Sequence, residues 1–158
     1  MLRQRENRKK EEDMNVPQYI TTEEVKRVCK ELKLTDWTKM KDAKVNVKDA
    51  KIILSRVNTE KMPIPLEAFR RGLQVELEHG TRFKDANVTN NHPLLTGKIV
   101  LAHLKEMMDY YERLEVAELE GDLLKAVKAG NLEKVKKYYK KLSKAKVELN
   151  ELVSATVK

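Results

Sequence analysis

Interruptions are scarce in this chain: five glycines and four prolines punctuate 158 residues. Between them, apolar side chains recur at steps of three and four instead of alternating. At 100° per residue that spacing winds into one stripe, which a helix can bury and a strand cannot. Leu66, Phe69, Leu73 and Leu77 show it after Pro65, a residue suited to a first helical turn, and Gly80 falls where a left-handed residue would close the helix. Thr21-Thr22-Glu23-Glu24 reads as a capping box ahead of Val25, Val28, Cys29 and Leu32. Residues 47–57 form a further helical stretch, with a short strand at 44–47 as the alternative. After the turn-rich "TRFKDANVTNNHP", Thr89, Asn90 or Asn91 can cap a helix that Pro93 helps to start. Its pattern continues from Leu94 to about Ala129, with Gly97 and Gly121 as places to bend. Gly130 then ends one helix and Asn131 caps the next, so two antiparallel helices are expected.

The fold class is therefore all-α: a small helical bundle with a long helix, a C-terminal antiparallel basic helix and a charged N-terminal arm. Composition agrees, with 41% apolar and 37% charged residues. The chain divides into an arm over 1–18, a core over 19–122 with a lysine-rich insertion at 39–64, and a basic extension over 123–158. No apolar run approaches the roughly 18 residues of a membrane span, and "MLRQRENRKKEEDM" lacks the apolar segment of a signal peptide. A chain that is neither secreted nor membrane-bound is expected. The single cysteine, Cys29, sits in a helical stripe and reads as a small core residue.

The net charge of +8 lies almost wholly in one place, because residues 123–158 carry ten lysines against three glutamates. Leu132, Val135, Tyr139, Leu142, Lys146, Leu149 and Val153 make a heptad seam there, for packing on the preceding helix, for self-association or for docking on another protein. Lys134, Lys136, Lys137, Lys140, Lys141 and Lys144 cover the remaining faces, which must stay wet or meet an acidic partner or nucleic acid. The aromatic platform of a single-strand binder is missing, so specific base reading is not expected. Phosphate loops, dinucleotide fingerprints, Cys-x-x-Cys pairs and nucleophile elbows are also missing from the sequence.

Four residues stand apart. Glu76 and His79 share one helix face, and His103 and Glu106 repeat the spacing in reverse order on the next, both pairs directed inward by their stripes, the second by Ile99, Ala102, Tyr110, Leu114 and Ala117. Burying such groups singly costs several kcal/mol, so they must satisfy one another or hold something. A hydrogen-bonded Glu/His/Tyr network locking two helices needs no cofactor. A set of two nitrogens and two oxygens would alternatively suit a single zinc or iron ion. Acid–base catalysis lacks an accompanying nucleophile or glycine loop.

Residues 69–122 carry Gly72, Glu76, Glu78, His79 and Gly80, then Thr96, Gly97, Lys98, Ile99, Ala102, His103 and Leu104, then Tyr110, Tyr111, Arg113 and Leu114. In these the chain resembles a small uncharacterised domain family of bacteria, phages and large DNA viruses. Residues 20–37 look like that family's first helix, with 39–64 interposed and 123–158 appended. The resemblance implies a compact helical module, and its viral members imply a virion or otherwise cytoplasmic setting. The expectation is a non-enzymatic assembly component. It would dock on other subunits, capsid proteins among them, or form a homo-oligomer, with non-specific nucleic-acid contact as a further role.

Overall fold

The computed structural model describes residues 19–157, so the charged arm expected over residues 1–18 lies outside the described residues. It contains α1 (Thr22–Glu31), α2 (Val47–Val57), α3 (Leu66–Arg82), α4 (Pro93–Glu106), α5 (Tyr110–Lys128) and α6 (Leu132–Thr156). Single 3-10 turns stand at Trp37–Lys39 and Lys84–Ala86, and no strand occurs among the described residues. The fold is all-α, a small bundle of packed helices.

Local chemistry explains most of the boundaries. Thr21 caps α1 by accepting from the Glu24 amide at 3.2 Å, and Val25, Val28 and Cys29 turn inward below it. Burial pushes the Cys29 thiol above its ordinary range, as befits an inert core residue. Asn46 caps α2 through the Asp49 amide at 2.7 Å, and the strand alternative at 44–47 is not taken. Between α5 and α6, Gly130 adopts φ +64° while its N–H reaches Val127 O and the Asn131 N–H reaches Ala126 O. That is the double closure of a Schellman motif, and Asn131 Oδ1 then accepts from the Lys134 amide at 3.0 Å.

The main core gathers Val25, Trp37, Ile53, Phe69, Leu73, Leu77, Val100, Leu104 and Tyr111. The lysine-rich segment 39–64 contributes to it: Val45, Ala50, Ile53 and Val57 are buried as α2 packs on α3 and α4. Its lysines lie on the opposite, exposed face, which is why composition alone hid the core stripe. A separate, smaller cluster of Leu119, Leu142 and Ala145 joins α5 to α6.

Four expectations are corrected. The single helix from Leu94 to Ala129 is broken at Met107–Asp109, between α4 and α5. No Pro or Gly marks the break; the chain turns there so that Tyr111 can enter the core, a tertiary demand overriding local propensity. Helix α3 runs past Gly80 to Arg82, and the only glycine with positive φ is Gly130 among the described residues. Gly80 serves closeness instead, since a Cβ there would overlap the Asn91 side chain. The cap of α4 is neither Thr89, Asn90 nor Asn91 but His92, whose Nδ1 accepts from the amides of Leu94 and Leu95 at 3.2 and 3.3 Å. Finally, the face of α6 on α5 runs Val135, Tyr138, Leu142, Ala145 and Leu149, while Tyr139, Leu132 and Lys146 are exposed. Two small residues, Ala126 and Ala145, are buried as the helices close on each other, a preference invisible when large apolar residues are weighted first.

Candidate functional site

Three helices converge on one carboxylate. Glu76 of α3 is held with its side chain only 14% exposed. Its Oε1 accepts the Tyr111 hydroxyl of α5 at 2.9 Å and lies 3.1 Å from His103 Nδ1 of α4, which is also 3.2 Å from the Tyr111 oxygen. Burial first, and then the Glu76 charge, hold the Tyr111 phenol far above its ordinary range, so it stays a donor. Its one proton is directed at Glu76, and His103 must therefore present an N–H at Nδ1 to the same pair of oxygens. The His103 ring stacks on Tyr110 with centroids 4.1 Å apart and planes 6° from parallel, which fixes its orientation.

The node is possible because α3 comes close to its neighbours. A Cβ on Gly72 would stand 2.5 Å from Val100 Cγ1 and 2.6 Å from Tyr111 Cε2, so only glycine lets Tyr111 cross α3 at this height. Beside it, Arg71 binds Glu112 at 2.9 Å and also Glu115, a second link between α3 and α5. No buried side-chain nitrogen or oxygen among the described residues lacks a hydrogen-bond partner.

Of the four residues singled out from the sequence, Glu76 and His103 meet directly. His79 stands at the margin, its Nδ1 3.9 Å from Glu76 Oε2 and its Nε2 3.6 Å from Glu118 Oε1, beyond hydrogen-bond range of either. Glu106 is exposed and joins none of them. Within α4 the buried positions are Val100 and Leu104, so Ala102 and Glu106 go to the surface, and beyond the break at Met107–Asp109 Ala117 is exposed as well. A metal here would have Glu76, His79 and His103 as donors; among the described residues no group of three or more His, Cys, Asp or Glu side chains is placed to hold one. Helical spacing points Tyr110 inward, and Tyr110 does pack on the core and stack on His103; Tyr111, marked by the sequence only as a motif residue, is the buried partner of Glu76.

A second candidate surface is α6. Lys134, Lys136, Lys137, Lys140, Lys141 and Lys144 are all exposed. Lys136 and Lys144 pair with Glu133 and Glu148 on their own helix, whereas Lys134, Lys137, Lys140 and Lys141 have no ion-pair partner among the described residues. The seam expected along this helix splits. Leu142 is buried and Val135, Leu149 and Val153 are half-buried, while Leu132 and Tyr139 are 71% and 64% exposed. Lys146 reaches across to Glu120 of α5 at 2.7 Å. Leu124 and Val127 follow Glu120 by four and seven residues, and Tyr139 and Leu132 precede Lys146 by seven and fourteen. By this spacing these four, of the seven exposed large apolar residues in and beside the hairpin, fall on the edge that the ion pair marks.

No helix among the described residues is long and apolar enough to cross a membrane. No curated protein and no solved structure matches the chain. Residues 25–120, which take in the Glu76 node and end where α5 leaves the core, match the family described as a protein of unknown function (DUF5661). Helix α6 lies wholly outside the matched residues. With well over half its length matched, the chain belongs to the DUF5661 family of proteins of unknown function.

Proposed function

We propose that the chain is a non-enzymatic assembly protein whose α5–α6 hairpin docks on another protein subunit of acidic surface. The observation that carries the reading is the exposed apolar edge of Leu124, Val127, Leu132 and Tyr139, set among lysines without an ion-pair partner among the described residues, on a helix whose main packing there is on α5. An exposed apolar band rimmed by charge is the usual form of a protein-binding surface. The excess of ten lysines over three glutamates in residues 123–158 favours an acidic partner over a second copy of the chain. A phage or virus particle, with capsid subunits as partners, is the setting that the sequence resemblance suggests. The Glu76 node supports the same reading from the other side: its groups are spent on one another, as suits a rigid platform and not a reaction centre.

The test is a double variant, Leu132→Glu and Tyr139→Glu, both at exposed positions. Co-sedimentation with its assembly from the native source should be lost at an unchanged melting temperature. A variant that still assembles, or a parent that stays monomeric and joins no particle, refutes the reading. The lysine face supports a second reading, non-specific nucleic-acid binding; that reading requires DNA retention that falls steeply with salt and disappears when residues 131–158 are removed.

A further inference from the structure

The hairpin edge that carries Leu124, Val127, Leu132 and Tyr139 lies away from the core. Arg71 of α3 holds Glu115, and Glu120 stands five residues further on, about 140° round α5 at 100° per residue. The core therefore covers one side of α5 and leaves the Glu120 side open. Along that side exposed positions follow helical steps on both rods: Glu120, Leu124 and Val127 advance by four and three on α5, and Leu132, Tyr139 and Lys146 by sevens on α6. The Lys146–Glu120 bond sets these rows against each other. From Leu132 to Lys146 the strip runs roughly 21 Å at 1.5 Å per residue, parallel to both axes.

Two rows at steps of three, four and seven on antiparallel helices form the groove into which a third helix packs. An extended segment gains less there. Backbone groups along α5 and α6 bond within their own helices, so no main-chain ladder is open and an incoming segment must satisfy its own N–H and C=O groups. Charge decides its flanks. Lys128 and Lys136 stand one turn beyond Leu124 and Leu132; Lys128 has no ion-pair partner among the described residues, and Lys136 meets Glu133 only at 3.6 Å with both side chains exposed. Glu120, the carboxylate that the spacing sets on this edge, is taken by Lys146. The rim thus favours carboxylates on whatever fills the groove.

We propose that the hairpin receives an amphipathic, acidic-flanked α-helix of a partner protein, which lays its apolar stripe between Leu124, Val127, Leu132 and Tyr139 and completes a three-helix bundle with α5 and α6. This rests on the docking reading above and gives the partner its form.

The probe is a synthetic peptide of three heptads with Leu at the first and fourth positions and Glu or Ala elsewhere, titrated with the full chain at constant ionic strength. Anisotropy of a label on the peptide, gain of helical circular dichroism and backbone amide shifts of the chain are followed together. Saturable binding with helix gain, and shifts centred on Leu124, Val127, Leu132 and Tyr139, are expected. A peptide of the same composition with Leu at alternate positions, and one with Lys for every Glu, should each bind at least tenfold more weakly. Leu132→Ala with Tyr139→Ala, which adds no charge at two exposed positions, should weaken the first peptide tenfold or more at unchanged melting temperature. Lys48→Ala with Lys51→Ala, on the exposed face of α2, should leave it alone. Absence of saturation, equal binding of the alternating peptide, or binding indifferent to the Leu132 and Tyr139 pair would each overturn the proposal. Self-association of the chain that the same pair abolishes would give the edge to a second copy, and duplex DNA that shifts these four amides and displaces the peptide would give it to a nucleic acid; either overturns it as well. If the peptide fails while Leu132→Glu with Tyr139→Glu still abolishes co-sedimentation, the helix falls and the docking reading stands; a parent that binds the peptide but joins no particle keeps the helix site and loses the assembly reading.

Discussion

At the scale of single residues, the Glu76 node turns on Tyr111. The phenol contributes a buried ring and the one proton that Glu76 Oε1 receives from α5. Tyr111→Phe keeps the ring and removes the donor, leaving a mostly buried carboxylate with His103 alone. Loss of a hydrogen bond to a charged group under these conditions costs about 1–3 kcal/mol. Urea unfolding should therefore show a lower midpoint at unchanged slope, and a midpoint within error of the parent would show that the bond carries no stability. Sequence spacing reached Glu76 and His103, because their helices keep ordinary periodicity up to those points. It set Tyr110 and not Tyr111 inward because the turn at Met107–Asp109 has neither Pro nor Gly to announce it, and it misplaced Glu106 because the buried stripe of α4 runs through Val100 and Leu104. Phase information along a helix survives only as far as the helix does.

At the scale of elements, caps were legible where the capping residue is a common one. Thr21 and Asn131 were identifiable from the sequence, and His92 was not, although it replaced three better candidates directly before it. A histidine cap has a consequence that an asparagine cap lacks. Nδ1 can accept from Leu94 and Leu95 only while it carries no proton. Burial, with a smaller push from Arg27 against the pull of Glu24, holds the His92 pKa below its ordinary value. As pH falls below about 6.5, the usual histidine value, the unfolded chain takes up a proton that folded His92 refuses. Stability from this group is thus complete above that pH, declines as pH drops toward the lowered folded value, and levels off beneath it. His92→Asn keeps a side-chain acceptor at the cap and removes the titration. Between pH 7.5 and 5 its unfolding midpoint should fall less than the parent's; parallel profiles would mean that His92 does not titrate with folding. Charge and apolar spacing also found α2 in the lysine-rich segment, yet composition alone made that segment look peripheral, since lysines on the wet face outnumber the four side chains that reach the core.

At the scale of the whole molecule, two cores of unequal size share one helix. The larger gathers thirteen buried residues from the segments between Val25 and Tyr111, and the smaller has only Leu119, Leu142 and Ala145. Helix α6 spans 25 residues, roughly 37 Å at 1.5 Å each, and its main packing among the described residues is on α5. That the last two helices pair was readable from Gly130 and Asn131; how little apolar surface the pair buries was not, because a heptad seam drawn on one helix does not say which of its members the partner covers. A helix held mainly by one neighbour and by so few fully buried side chains opens independently of the rest. Hydrogen exchange should therefore release the amides of α6 through a local opening of lower free energy than the global one, whereas amides of α3 around Leu73 and Leu77 exchange only with full unfolding. Binding of the proposed subunit along Leu132 and Tyr139 would slow exchange of the α6 amides, because a partner selective for the docked hairpin adds its binding free energy to every opening that undocks it. Uniform protection of α3 and α6 in the isolated chain would instead mean that the hairpin is already as firmly held as the core, and would remove the reason for expecting a partner on its free edge.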